Sequence, residues 1–362
     1  ISECLVGSEM CIRDRYNNAV YMEDLKNTID MTVGIEQLKN KKILVTGATG
    51  TIGSYIVDTI LAYSHIYNAN ICVYAACRNN DRYSERFSQC PCEVHYVEYD
   101  MLKDIKFDMD IDYIIHAAGN AYPTAFANNP VETIVGNVNS TYNILEYARK
   151  HSTRRVLYVS SGEVYGNISA DINGVKEEQL GNVDVLMSRS CYPLSKRTTE
   201  NLCVSYNKEY GTDVVIVRPC HTYGPTITKN DNRANAQFIR NAIEGKNIVL
   251  KSSGEQMRSY CYVADCAAGI LTALINGKSA EAYNCSNPDS VLTIADFAKT
   301  IAQIAGTKVI MENPTNRDIA NRSPIRNQIL NAEKLYNLGW KPLYGIEEGI
   351  RSVLNILNVD CK

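Results

Sequence analysis

The 362-residue chain is 45% hydrophobic and 21% charged, and its 37 basic against 40 acidic residues leave a formal net charge of −3. That balance gives no broad cationic field for a phosphate backbone, so nucleic-acid binding is not expected. No apolar run reaches the roughly 18–20 residues of a bilayer-spanning helix, and a chain of this length forms one large α/β domain or two lobes.

Residues 1–15 lack a signal-peptide layout and any sustained period, and resemble a translated sequencing-adaptor remnant. Residues 1–40 are read as an extension outside the fold, with a short helix near Tyr21–Asp30. The organised fold is expected from Lys41. Lys42–Thr46 reads as a strand, Gly47-Ala-Thr-Gly50-Thr-Ile-Gly53 as a tight turn, and Ile52–Ala62 as a helix. In that context one glycine permits the turn, a second lets backbone approach a pyrophosphate, and a third lets helix and strand pack closely. The helix N-terminus adds free N–H groups and a partial positive charge.

Alternation continues down the chain. Strands are expected at Asn70–Cys77, Glu93–Tyr99, Asp112–Ala118, Arg155–Ser160 and Asp213–Arg218, and long helices at Pro130–Lys150 and Tyr192–Tyr210. Strands alternating with helices predict a parallel, doubly wound sheet with ligands at the carboxyl ends of its strands. The thirteen cysteines show no ligand spacing. Cys72, Cys77, Cys203, Cys266 and Cys285 lie in apolar stretches, where a free thiol behaves as a small hydrophobe. Reduced thiols, a cytoplasmic location and no metal site are the expectation.

The candidate chemistry centres on Tyr192-Pro-Leu-Ser-Lys196. Positions i and i+4 share a helix face, which points the phenol and the ammonium into one space. A phenol with a pKa near 10 is a poor base at neutral pH, and a fixed cation beside it favours the phenolate. Pro193 suits a first helical turn and places Tyr192 at the helix entrance. After the fifth strand, Ser160-Ser161-Gly-Glu163-Val-Tyr-Gly166 puts a hydroxyl where it can stabilise charge on a reacting oxygen, with a carboxylate two residues on.

These motifs, together with His116-Ala-Ala-Gly119 and Arg218-Pro-Cys-His-Thr-Tyr-Gly-Pro225, stand in the order found in the NAD-dependent epimerase/dehydratase family, which the chain resembles from about Lys41 to Asn358. Its members are extended short-chain dehydrogenase/reductases that modify nucleotide-diphosphate sugars. The resemblance continues through Gly254-Glu-Gln-Met-Arg258-Ser-Tyr-Cys-Tyr-Val263 and Leu338-Gly-Trp-Lys-Pro342. It implies a Rossmann domain mainly over residues 41–225 and a smaller C-terminal substrate-binding lobe mainly over 226–362, with elements interleaved. It implies NAD as cofactor, held by Gly47, Gly50, Thr51, Ile52 and Gly53, by Arg78, Asp100 and Met101, by Ala117 and Ala118, and by Tyr192 and Lys196. Tyr192, Lys196, Ser161 and Glu163 would be the catalytic set. His221 and Arg258 would hold the substrate, Arg258 gripping the diphosphate. The two long helices would pair with those of a second copy in a homodimer.

Three departures shape the expectation. Cys77-Arg78-Asn79 stands where NAD users carry an acid for the ribose hydroxyls, and an arginine there can accommodate the 2′-phosphate of NADP. Gly162 replaces the aspartate that serves as general acid in the family's 4,6-dehydratases. His221 replaces an asparagine and is expected to add pH dependence near 6.5. The favoured reaction is decarboxylation of UDP-glucuronate through a 4-keto sugar, ahead of 4-epimerisation and then dehydration. A non-catalytic NAD(P)-sensing regulator is the reading from another class.

Overall fold

A computed structural model describes residues 15–168, 174–229, 231–315 and 325–357. The strands are β1 (Lys42–Thr46), β2 (Cys72–Cys77), β3 (His95–Glu98), β4 (Tyr113–His116), β5 (Arg155–Val159), β6 (Val214–Pro219), β7 (His221–Tyr223), β8 (Ile248–Leu250), β9 (Met257–Tyr262), β10 (Ala282–Cys285), β11 (Val291–Thr293), β12 (Val309–Met311) and β13 (Asn327–Gln328). The helices are α1 (Ala19–Met31), α2 (Thr51–Ile66), α3 (Asn80–Phe87), α4 (Pro123–Asn128), α5 (Pro130–Lys150), α6 (Cys191–Tyr210), α7 (Ala234–Ile243), α8 (Val263–Asn276), α9 (Ile294–Ala305), α10 (Glu333–Tyr336) and α11 (Ile346–Ile356).

Seven strands form one sheet in the order β10-β6-β5-β4-β1-β2-β3, every pair parallel. Every residue of β4 and of β6 is buried, as expected for parallel strands covered by helices on both faces. The chain order reverses between β1 and β4, which opens the crevice where doubly wound sheets bind ligands. The helix expected at Pro130–Lys150 has those bounds, and the other expected elements shift by a few residues at their ends.

The seventh strand, β10, comes from far down the chain, so the second half completes the main sheet while β7, β9, β11 and β13 form a separate one. The N-terminal helix is no appendage. Asn18 caps α1 by accepting from the N–H groups of Val20 and Tyr21, and Tyr21, Leu25 and Ile29 bury its inner face against α2, α8 and α11. Asp24, buried on α1, accepts from Tyr262 Oη at 2.5 Å and Tyr344 Oη at 2.7 Å, which ties this helix to both ends of the second half. Tyr16, ahead of α1, and Tyr21, within it, donate to Asp58 of α2, the buried partner of Arg86 on α3.

Candidate active site

The turn after β1 is shaped by what cannot fit there. Gly47 has φ +67°, and a Cβ on it would lie 2.7 Å from the Ala117 carbonyl oxygen. A Cβ on Gly53 would lie 2.3 Å from the Gly47 oxygen, so any side chain would push α2 off the strand. Gly50 caps α2, and with Gly47 and Thr49 it faces a cavity of about 370 Å³. Of the other cofactor residues expected, Arg78, Asp100, Met101, Ala117 and Ala118 line this cavity. Thr51, Ile52, Gly53, Tyr192 and Lys196 do not; Thr51 and Gly53 are buried behind it, and the Thr51 carbonyl accepts from Thr226 Oγ1 at 2.7 Å. A glycine cradle, a helix N-terminus and a long crevice at the strand-order reversal fit a dinucleotide. Gly119 also lines the cavity, and a Cβ there would sit 3.7 Å from Lys196 Nζ.

Tyr192 is the second residue of α6 and is buried, with its ring stacked on Phe126 at 4.5 Å and 21°. The Ser161 side chain is near enough to the phenol to oppose the rise in its pKa. Ser161 accepts from the Glu163 N–H at 3.1 Å, which fixes the turn that aims it. Ser160 is engaged elsewhere, donating to Glu200 at 2.5 Å, so the second serine is the one at the site.

Lys196 lies on the same face of α6, but its ammonium is turned to the strand end. Nζ donates to the Val159 carbonyl at 2.9 Å and sits 4.6 Å from the Tyr158 ring centre and 5.8 Å from that of Tyr192. This corrects the expectation that the lysine depresses the phenol. Burial pushes Tyr192 up to about 12, against a downward pull from the nearby Ser161 hydroxyl; Glu163 adds to the rise, and Arg233 and Arg189 oppose it. Burial likewise pulls Lys196 down to about 8, with Glu200 opposing from one turn further along.

Glu163 faces a partner that spacing did not reveal. Arg189, three residues before Tyr192, donates Nη1 and Nη2 to its two carboxylate oxygens at 3.1 and 3.0 Å. The same guanidinium lies 5.5 Å from the Phe126 ring centre. Bidentate pairing holds the carboxylate in a fixed plane beside Ser161.

His221 and Arg258 come together at the β7–β9 pairing, with the His221 and Tyr260 rings 5.9 Å apart. Burial, then Arg258 and Arg233, hold His221 down to about 3, so the imidazole is neutral at physiological pH and does not titrate near 6.5 as expected. Its Nδ1 is buried with no hydrogen-bond partner among the described residues. Arg258 is 4% exposed and spends Nη1 on the carbonyls of Met257 and Arg326 and Nη2 on that of Ile325. Its hydrogen bonds therefore brace the 325–326 segment. Arg233, which the sequence reading missed, pairs with Asp231 and adds positive potential at both Tyr192 and His221.

A family model described as NAD dependent epimerase/dehydratase family matches residues 43–286. Among curated proteins, a UDP-glucuronic acid decarboxylase 6 of Arabidopsis thaliana is 31% identical over 313 residues, covering 86% of this chain and 87% of the relative. A UDP-glucuronic acid decarboxylase 1 of Xenopus tropicalis is 29% identical over 329 residues, covering 89% and 73%. Among solved structures, a UDP-glucose 4-epimerase of Thermotoga maritima superposes with a TM-score of 0.72 at 22% identity over 87% of this chain and 97% of that one. A UDP-glucuronic acid 4-epimerase of Bacillus cereus, in complex with UDP-glucuronic acid and NAD, gives 0.71 at 21% over 87% and 98%. The structural likenesses establish the fold.

Proposed function

The chain belongs to the NAD dependent epimerase/dehydratase family, and from that premise we propose that it oxidises a nucleotide-diphosphate sugar at C4 and decarboxylates it, with UDP-glucuronate as substrate. The observation that carries this reading is the junction of Tyr192, Ser161 and the Glu163–Arg189 pair beside Gly119 of the dinucleotide crevice. Bound in the crevice, NAD would supply the hydride acceptor and donor for C4. The rest is done by this chain.

Tyr192 takes the C4 hydroxyl proton as that carbon is oxidised, and Ser161 holds the same oxygen by a hydrogen bond as it becomes a ketone. Lys196, whose Nζ is near Gly119, holds the ribose side of the crevice. A ketone at C4 lets the C5 carboxylate leave as carbon dioxide, because the electron pair left on C5 is delocalised onto the C4 oxygen beside Tyr192 and Ser161. Arg233 and Arg258 add positive potential around His221, which suits the diphosphate.

The residue between Ser161 and Glu163 supports decarboxylation over dehydration. Gly162 offers no carboxyl to serve as general acid, and a Cβ there would lie 3.0 Å from Leu330 Cδ1 and 3.2 Å from Gln328 Nε2, so a larger residue would have to displace those side-chain ends. Assembly as a homodimer through α5 and α6 is part of the proposal. These helices pack together and present Val131, Ile134, Val135, Tyr142, Val204 and Tyr210 to solvent. The ten described cysteines are all free thiols, which fits a cytoplasmic location.

The test is to incubate the protein with UDP-glucuronate, UDP-glucose and dTDP-glucose and resolve the products by mass and NMR. Loss of carbon dioxide from UDP-glucuronate is the expected result. Inversion at C4 with the carboxylate retained would make the enzyme an epimerase, and loss of water from dTDP-glucose a dehydratase. Cofactor binding with no conversion of any of the three would point to a sensor.

A further inference from the structure

Arg197 follows Lys196 on α6 and is half-buried, and backbone carbonyls take its guanidinium. Nε donates to Val164 at 2.7 Å, and Nη2 donates to Gly181 at 2.7 Å and to Tyr165 at 3.3 Å. Val164 and Tyr165 belong to the 3-10 turn Gly162–Tyr165, which opens at Ser161 and carries Glu163. Gly181 belongs to the loop that leads through Arg189 into α6. One guanidinium therefore ties two loops to the helix that bears Tyr192, a reach that suits a planar fork of donors.

The two loops meet at two places. Behind the site they are joined through backbone: the Gly181 N–H donates to the Tyr165 carbonyl at 2.8 Å, and Asn167 and Asn182 exchange bonds of 2.8 and 3.0 Å. This approach requires glycine on both sides. A Cβ on Gly166, at φ +65°, would lie 2.5 Å from the Asn182 oxygen, and one on Gly181 would lie 2.3 Å from the Asn167 oxygen. Inside the site they meet again where Arg189 forks onto Glu163. Each partner of that pair sits on a different loop, so its bidentate geometry depends on how the loops are held together. The turn keeps other supports apart from Arg197. Tyr165 Oη donates to Asn284 at 2.5 Å and accepts from Arg218 Nη1 at 2.9 Å.

We infer that Arg197 is a positioning residue for the reaction. By fastening the turn and the loop to α6 it sets the Glu163 carboxylate and the Arg189 fork against Tyr192, and it acts through that pair rather than on the substrate. The inference rests on the proposed function, since it assigns Arg197 to the site where that reaction takes place.

The test measures kcat and KM of the full chain for whichever of UDP-glucuronate, UDP-glucose and dTDP-glucose it converts. Arg197→Met is expected to lower kcat by about tenfold, short of the roughly hundredfold cost of a misplacement of about 1 Å. KM should stay within about twofold, because no contact with the substrate is removed. In a Glu163→Gln background, where the fork has lost its charged partner, the same change is expected to cost less than about twofold. Arg197→Lys keeps the charge and the stem but not the fork, and guards against a fold failure in the methionine variant. It is expected to lose kcat by a smaller factor at the melting temperature of the parent. Full kcat in both variants, or a loss confined to KM, would overturn the positioning role and leave the proposed reaction standing. A loss that persists undiminished in the Glu163→Gln background would overturn action through the pair. Conversion of a sugar other than UDP-glucuronate would overturn the proposed substrate, and the same kinetic comparison would still decide the role of Arg197. Conversion of none of the three would overturn both.

Discussion

Lys196 Nζ and the Tyr192 ring centre are 5.8 Å apart, one turn from each other on α6, and the ammonium is bonded to the Val159 carbonyl while the phenol ring is stacked on Phe126. Tyr192 therefore owes its place to Phe126, and Lys196 owes its place to the end of β5.

A Tyr192→Phe variant keeps the ring on Phe126 and removes the oxygen. Turnover of UDP-glucuronate is expected to fall by about 10²–10⁴-fold, the range for losing a positioned acid–base group. The melting temperature should move little, since only one hydroxyl is lost. Product formation followed by NMR checks the first effect and thermal unfolding the second; full turnover would remove Tyr192 from the role of base.

Glu163 and Arg189 act as a unit if bidentate pairing is what fixes the carboxylate. Glu163→Gln and Arg189→Met are each expected to lower kcat, and the double variant should be no slower than the slower single one, because the second change removes a partner already lost. Arg189→Lys keeps charge but not the planar fork and should recover only part of the rate. Independent, multiplying losses in the double variant would contradict the coupling.

Beneath the site, Glu200 and Arg218 form a buried pair, with Arg218 Nη2 2.6 Å and Nε 3.0 Å from the two carboxylate oxygens. Glu200 also accepts from Ser160, next to Ser161. Glu200→Gln leaves a buried guanidinium short of its counter-charge and is expected to destabilise the fold by about 3–5 kcal/mol. Urea unfolding measures this; a change below 1 kcal/mol would show that the network is dispensable.

Acid sensitivity follows from His116, buried between β1 and α5. Nδ1 lies 2.7 Å from Thr46 Oγ1, and burial, with a smaller contribution from Lys196, holds the imidazole down to about 3. The unfolded chain takes up this proton near pH 6.5 and the folded chain only near 3. Stability is therefore fully present above 6.5 and is lost as pH falls between those values, by up to about 1.4 kcal/mol per pH unit from this residue. Unfolding free energies at pH 7 and pH 5 should drop more steeply for the parent than for His116→Asn, and parallel slopes would argue against a neutral buried imidazole.

The parts of this molecule that were legible in sequence are those in which neighbours in the chain are neighbours in space. The strand, glycine turn and helix at residues 42–66 and the long helix at 130–150 carry their own periodicity and punctuation, so type and position could be read together. Tyr192, Ser161 and Glu163 were found because each follows or opens such an element. What escaped depends on distant pairings. Arg189 meets Glu163 from 26 residues away, Arg86 meets Asp58 from 28, and Asp24 meets Tyr344 from 320. Nothing local in the residues before Lys41 distinguishes a loose tail from a helix clamped by Tyr262 and Tyr344. The strand at 282–285 was likewise too short to announce that it borders β6. The expected depression of the phenol failed for a related reason: i,i+4 spacing fixes which face a lysine shares, but the Val159 carbonyl decides where its ammonium goes.

The most direct measurement of oxidation at C4 followed by decarboxylation uses UDP-glucuronate carrying deuterium at C4. The account predicts release of carbon dioxide and a UDP-pentose that keeps the deuterium on C4, since hydride leaves and returns within one site. Product that has lost this deuterium to solvent, or labelled substrate recovered with its carboxylate intact after prolonged incubation, would contradict it.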